Sequence, residues 1–199
     1  MTSLPPPPSG EPSTQEQLDA AFLGAQPRLT SKVQVVDYDP EWPSLFDREQ
    51  RRIRGILGET VLQLDHVGST SVPGLAAKPI IDIDLTVVDS GNETDYLPAL
   101  EDQGYRLVIR EPDWEEHRAL KGPDTNINLH VWSTGADEPR RHLLFRDWLR
   151  THDSDRLLYD TTKRDVANHD WQYISEYNDA KAPVILEIYA RIYAERLDD

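Results

Sequence analysis

Cysteine is absent from the 199-residue chain, which excludes a disulfide framework and any zinc site built on thiolates. Positive charge is scarce. Twenty-one Lys and Arg stand against 36 Asp and Glu, a formal net charge of −15. Such a surface repels polyanions at long range, so a DNA or RNA duplex is not an expected partner, although a local basic patch is still able to hold a small phosphate. No apolar run approaches the roughly 18 residues of a membrane span. The opening "MTSLPPPPSGEPSTQEQ" has no basic region leading into an apolar one and does not read as a signal peptide. The expectation is a soluble cytoplasmic protein with neither nucleic acid nor membrane as partner.

Residues 1–30 are rich in Pro, Ser, Glu and Gln and bury too little to offset the entropy of ordering them. They are expected to form a disordered tail, with at most a short helix at Glu16–Leu23, ahead of one domain over 31–199. Val33, Val35 and Val36 suggest a first strand. "EWPSLFDREQRRIRGILG" reads as a helix with Pro43 in its first turn and Gly58 as its stop. "TVLQLDHV" alternates as a strand does, and "PIIDIDLTVV" is β-branched with acids at alternate positions. "DYLPALEDQGYRLV" predicts a helix ended by Gly104 and then a strand. "RALKG" and "NINLHVW" predict two strands about a Gly-Pro-Asp turn. From Pro139 onward the spacing is helical, with Ile174, Val184, Ile188 and Ile192 as core. The fold class is therefore α+β: a mixed sheet of about five strands, helices beside it, and a helical C-terminal part.

The stretch "HVGSTSVPGLAAKPIIDIDLTV", His66 to Val87, carries the chemistry. Asp82 and Asp84 lie at i and i+2 of a strand, so both carboxylates leave one face roughly 7 Å apart. Buried without partners they are costly; a hard cation between them resolves this, and Mg²⁺ takes such oxygens together with substrate phosphates. The plainer alternative is a solvated strand face. Gly68 and Ser69 form a loop whose backbone N–H groups and hydroxyl suit an anion, whereas an ordinary turn accounts for Gly-Ser taken alone. The combination of loop, twelve residues, and Asp-Ile-Asp on the next strand can set a triphosphate between loop amides and a metal.

This stretch closely resembles the signature of the GrpB family, a branch of the nucleotidyltransferase superfamily. The likeness extends through "VVDYDPEW", "GYRL", "NLHVW", "HLLFRDWLR", "YDTTKRDVA" and "YNDAKAPVI". Some actinobacterial dephospho-CoA kinases carry a similar module. The resemblance implies a nucleotidyltransferase-like fold. Gly68 and Ser69 match the superfamily's loop, and Asp82 and Asp84 match its first two acids as Mg²⁺ ligands. Its third acid is missing: "NINLHVW" puts Asn128 and His130 there. His130 is left as a metal ligand or a general base.

Further candidates carry positive charge. Lys78 is either a cation near the phosphates or a surface lysine. Arg146, in the basic island Arg140–Arg150, faces either a triphosphate or neighbouring acids. Lys163 and Lys181 each follow a tyrosine at i+4, which fits stem packing as well as a nucleotide pocket. Arg118 lies on a strand near the acids. His66 reads as structural. The resulting expectation is a Mg²⁺-dependent enzyme transferring a nucleoside monophosphate from ATP or another NTP to a small-molecule acceptor. Two rivals stand beside it: an ATP-dependent ligase working through an acyl adenylate, and a non-catalytic nucleotide- or coenzyme-binding module.

Overall fold

The computed structural model describes residues 4–197. Its elements in chain order are α1 (Gln15–Ala21), α2 (Trp42–Leu57), β1 (Gln63–Val67), β2 (Ile81–Val87), α3 (Leu97–Asp102), β3 (Arg106–Glu111), β4 (His117–Lys121), β5 (Ile127–Ser133), α4 (Glu138–Thr151), α5 (Asp153–Ala167) and α6 (Ile174–Leu197), with single 3₁₀ turns between some of them. The strands form one mixed sheet in the order β1-β2-β5-β4-β3. β2 and β5 are parallel and every other pair is antiparallel. This is the α+β architecture expected from the alternation of patterns along the chain.

Period two in β2 decides what each face of the sheet does. Ile81, Ile83, Leu85 and Val87 are buried in a core with Ile53 and Leu57 of α2 and Leu97 and Leu100 of α3. Asp82 and Asp84 leave the opposite face. In the parallel register Asp82 pairs with Asn128 and Asp84 with His130, so β5 offers its polar side chains on that same face. The C-terminal helices supply a second core there, in which Trp148, Tyr159, Ile188 and Ile192 pack on Val72 and Leu75 of the segment between β1 and β2. The chemistry-bearing face is thus enclosed between the sheet and α4–α6.

Two expectations about the N-terminal part change. Val33–Val36 do not form a strand; Val36 makes one isolated bridge to Ala77, and Val33 is buried beside Ala167 and Tyr177. Residues 5–29 make contacts along the domain instead of standing off as a tail, and residues 1–3 of the expected tail lie outside the described residues. Thr14 caps α1 through a capping box, Phe22 bridges Ile109 of the edge strand β3, and Leu23 N donates to Val108 O. Arg141 Nη1 donates to Pro6 O, and the Tyr193 hydroxyl to Pro5 O. Proline carbonyls accept hydrogen bonds without needing a partner for an N–H, so a proline-rich strap can be tied down by side-chain donors alone. No helix among the described residues is long and apolar enough to cross a membrane.

Candidate functional site: a lysine-lined cavity on the sheet face

The loop after β1 begins at Gly68, with φ 72°. A Cβ there would collide with the Asp82 carboxylate, so glycine is what allows loop and acid to approach. The Ser71 hydroxyl donates to Gly68 O at 2.6 Å and the Thr70 hydroxyl to Ile80 O at 3.2 Å, closing the turn from within. Arginines close it from outside. Arg146 Nη1 donates to His66 O at 3.1 Å, and Arg150 Nη2 to Ser71 O at 2.8 Å. His142, Arg146 and Arg150 recur every fourth residue of α4, which puts them on one stripe against the loop.

A cavity of about 320 Å³ opens beside this loop, and Gly68, Ser69, Lys78, Asp82, Lys163 and Lys181 are among the residues that line it. Three lysines here stand out against the acidic chain. Lys163 Nζ donates to Ala76 O and lies over the Tyr159 ring. Lys78 and Lys181 both lie over the Tyr177 ring, with Nζ 5.4 and 4.4 Å from its centroid. Burial lowers the proton affinity of all three. Lys163 is brought down to about 7, chiefly by burial and then by Lys181; Lys181 likewise, by burial and then by Lys78. Cations crowded at a desolvated wall gain from an anion placed among them.

The acids divide in role. Asp82 lines the cavity, and its Oδ1 accepts from Asn128 Nδ2 at 2.6 Å. Burial raises its proton affinity, while the Asn128 bond and Lys78 oppose this. Asp84 is only 1% exposed and does not line the cavity. Its Oδ1 accepts from Trp132 Nε1 at 2.9 Å, and its Oδ2 lies 2.8 Å from His142 Nδ1. Burial works against the charge on Asp84, but His142 holds the carboxyl below its ordinary range. Asp84 and Glu138 in turn hold His142 well above its own, against burial. Two oxygens facing one cation are therefore not what β2 presents. Among the described residues no group of three or more His, Cys, Asp or Glu is arranged to hold a metal ion. Of the two acids only Asp82 lines the cavity, so a cation there would find one protein carboxylate and need its other oxygens from elsewhere.

The same cavity is also lined by His130, His142, His117, Trp132 and Trp114. His130 Nδ1 lies 2.9 Å from His117 Nε2, and His117 Nδ1 lies 2.7 Å from Glu111 Oε2. Burial, then the neighbouring His117, brings the His130 pKa down to about 3. Trp114 comes from the β3–β4 turn, where Glu115 and Glu116 both have positive φ, 51° and 53°. The Glu115 carboxylate accepts from the Asp137 and Glu138 N–H groups at the start of α4.

Of the residues singled out in the sequence, the structure gathers Gly68, Ser69, Lys78, Asp82, His130, Lys163 and Lys181 around one cavity. Asp84 stands just behind it. Arg118 does not join them: it is buried and paired with Glu93 at 2.6 Å and Glu116 at 3.2 Å. Its register partner Val131 belongs to the α2-side core, so Arg118 leaves the sheet on the opposite face. Arg146 is also absent from the cavity wall, because it holds the loop from outside and pairs with Asp147 at 2.7 Å. His66 meets its structural expectation, stacked on Phe46 and 3.0 Å from the Thr70 hydroxyl. Trp114 and His117 have no place in the sequence-based site, and His142 enters it only as a member of the basic island Arg140–Arg150. Alternation in "EEHRAL" would have put His117 on the face opposite Arg118, but nothing local distinguishes it from an exposed edge histidine.

Comparison with known proteins agrees with this architecture. The family model described as GrpB protein matches residues 32–191. A UPF0157 protein of Halalkalibacterium halodurans is 54% identical over 183 residues, covering 92% of this chain and 94% of that one. A protein named dephospho-CoA kinase from Mycolicibacterium paratuberculosis is 29% identical, covering 81% of this chain but 46% of that longer one. The crystal structure of the conserved protein GrpB from Enterococcus faecalis is 31% identical and superposes with a TM-score of 0.69, covering 80% of this chain and 99% of that one. With most of its length matched in both sequence and fold, the chain belongs to the GrpB family.

Proposed function

We propose that the cavity binds a nucleoside triphosphate such as ATP and transfers its nucleoside monophosphate to a small-molecule acceptor, on a nucleotidyltransferase-like fold. The observation that carries this reading is the lining of one cavity by Lys78, Lys163 and Lys181 together with the Gly68–Ser69 loop and Asp82. In an acidic protein, such a wall favours a compact anion over a polyanionic duplex. Ser69 and the three lysines take the β- and γ-phosphates. Asp82 holds a Mg²⁺ that accompanies them, and its chemistry when bound is to offset charge on the phosphates and the leaving pyrophosphate. The acceptor's nucleophilic atom attacks the α-phosphorus, its new P–O or P–N bond forms, and the bridging bond to the β-phosphate breaks. The acceptor's proton passes to His130 Nε2, the ring nitrogen not engaged with His117.

A second reading is supported by Asp84, whose oxygens are taken by Trp132 and His142. On it the fold is a nucleotide- or coenzyme-binding module without turnover, in keeping with its place as part of a longer relative named dephospho-CoA kinase. Calorimetry with ATP, AMP and adenosine, with and without Mg²⁺, tests both. The expected order is ATP over AMP over adenosine, with Mg²⁺ strengthening ATP. Pyrophosphate release and nucleotidylated products, sought by mass spectrometry across alcohol, amine and phosphate acceptors, separate enzyme from module. Equal affinity for ATP and adenosine would sink both.

A further inference from the structure

The row Glu111–His117–His130 crosses three neighbouring strands, β3, β4 and β5, and its last member lines the cavity. It is built for more than packing. A carboxylate can only accept, so the 2.7 Å contact from Glu111 Oε2 fixes the proton of His117 on Nδ1. A neutral His117 then has a lone pair at Nε2. The 2.9 Å contact from that nitrogen requires His130 to carry its proton on Nδ1. The remaining nitrogen, His130 Nε2, is left with a lone pair. The two imidazoles are nearly parallel, at 19° with centroids 5.1 Å apart, and Trp132 stacks on His117 at 4.2 Å, so neither ring is free to turn.

We propose that Glu111 and His117 are positioning residues that set the tautomer of His130 and carry its proton away from the cavity. This rests on the nucleotidyl-transfer reading, in which His130 Nε2 takes the acceptor's proton. As that N–H bond forms, the Nδ1 proton of His130 moves to His117 Nε2. The net result is a neutral His130 with its proton on Nε2 and an imidazolium at His117 against the Glu111 carboxylate. No proton or electron is left over.

The relay answers a physical difficulty. A charge on His130 itself would sit in a half-buried position beside His142, whose own charge is held by Asp84 and Glu138, and near Lys121. Asp84 is the carboxylate that favours a charge there, but both its oxygens are already engaged. One ring further on, at His117, the same charge lies 2.7 Å from the Glu111 carboxylate, which is 27% exposed and can be screened by water.

Nitrogen-detected NMR of ¹⁵N-histidine protein at pH 8, without nucleotide, tests the tautomer setting on which the relay depends. In the wild type, His117 and His130 should both be neutral with the proton on Nδ1. Glu111→Gln keeps an acceptor oxygen and should keep that pattern. Glu111→Leu removes it, and His130 should move to the Nε2–H form or a mixture. His117→Phe preserves the stacking without nitrogens and should also free the tautomer of His130, which guards against misfolding of the leucine variant. A wild-type His130 protonated on Nε2, or one unchanged in both Glu111→Leu and His117→Phe, overturns the proposal. Because no nucleotide is present, lack of turnover would remove the transfer reading while leaving these spectra intact.

Discussion

Gly68 is the residue at which loop geometry and chemistry meet. Its backbone has φ 72°, and a Cβ would strike Asp82. Gly68→Ala should therefore lower stability by about 1–3 kcal/mol from backbone strain alone. It should also push the loop from Asp82, so that ATP affinity falls by more than the stability change suggests; a melt and a titration on the same sample check both. Ser69→Ala is milder. It should weaken ATP by about 1.5 kcal/mol, roughly tenfold, the scale of one hydrogen bond to a charged group. Adenosine should bind unchanged, and equal weakening of the two ligands would remove Ser69 from the phosphate site.

Element by element, α4 shapes the site while, among the described residues, only its His142 lines the cavity. Arg146 holds the His66 carbonyl oxygen near the end of β1, Arg150 that of Ser71 in the β1–β2 loop, and His142 reaches Asp84. Arg150→Ala should loosen that loop and reduce ATP affinity by several-fold, although no charge leaves the cavity wall. Faster hydrogen exchange at Gly68–Ser71 would accompany the loss, whereas unchanged exchange would separate α4 from the loop. The N-terminal segment is a second such case. Phe22 bridges Ile109 on the outer strand and so covers part of the sheet edge. Removing residues 1–24 should lower the melting temperature, by about 2–4 °C for each kcal/mol lost in a chain of this size. It should also expose the β3 amides to exchange. A truncated protein melting with the full chain would mean that these contacts add nothing net.

At the scale of the whole molecule, a net charge of −15 surrounds a cavity lined by three lysines. Lys163 and Lys181 have folded pKa values lowered from 10.5 to about 7. Between those limits the unfolded chain binds more protons than the folded one, so stability of the unliganded protein rises with pH through that window. Below pH 7 the folded state carries the full penalty of two crowded charges. Anion binding has the opposite slope, since it needs those charges. Affinity for sulfate, whose own charge is constant here, should fall about tenfold between pH 6 and 8 and also weaken with added salt. Lys163→Met with Lys181→Met should flatten both slopes; a flat wild-type profile would mean that the two lysines do not face the anion.

Periodicity made most of the architecture legible. Alternation in "IIDIDLTV" placed Asp82 and Asp84 on one face and the isoleucines in the core, and Gly58 and Gly104 marked where helices give way, because these are consequences of local geometry. The Gly-Ser loop, the spacing to β2 and the tyrosine-lysine pairs likewise drew attention to seven residues that share one cavity. What local pattern could not fix was which side of the sheet a polar residue leaves and what it meets there. Arg118 and His117 are neighbours in β4, yet one pairs with Glu93 on the α2 side while the other joins Glu111 and His130 on the cavity side. Asp84 and Asp82 look equivalent in sequence, and only the approach of His142 from α4 and Trp132 from β5 tells them apart. The N-terminal segment reads as too polar to order itself, and its place depends on an edge strand and on donors from α4 and α6, more than 85 residues away in sequence. Side-chain periodicity is written in the order of residues. Partnership across elements is written only in the packing that brings them together.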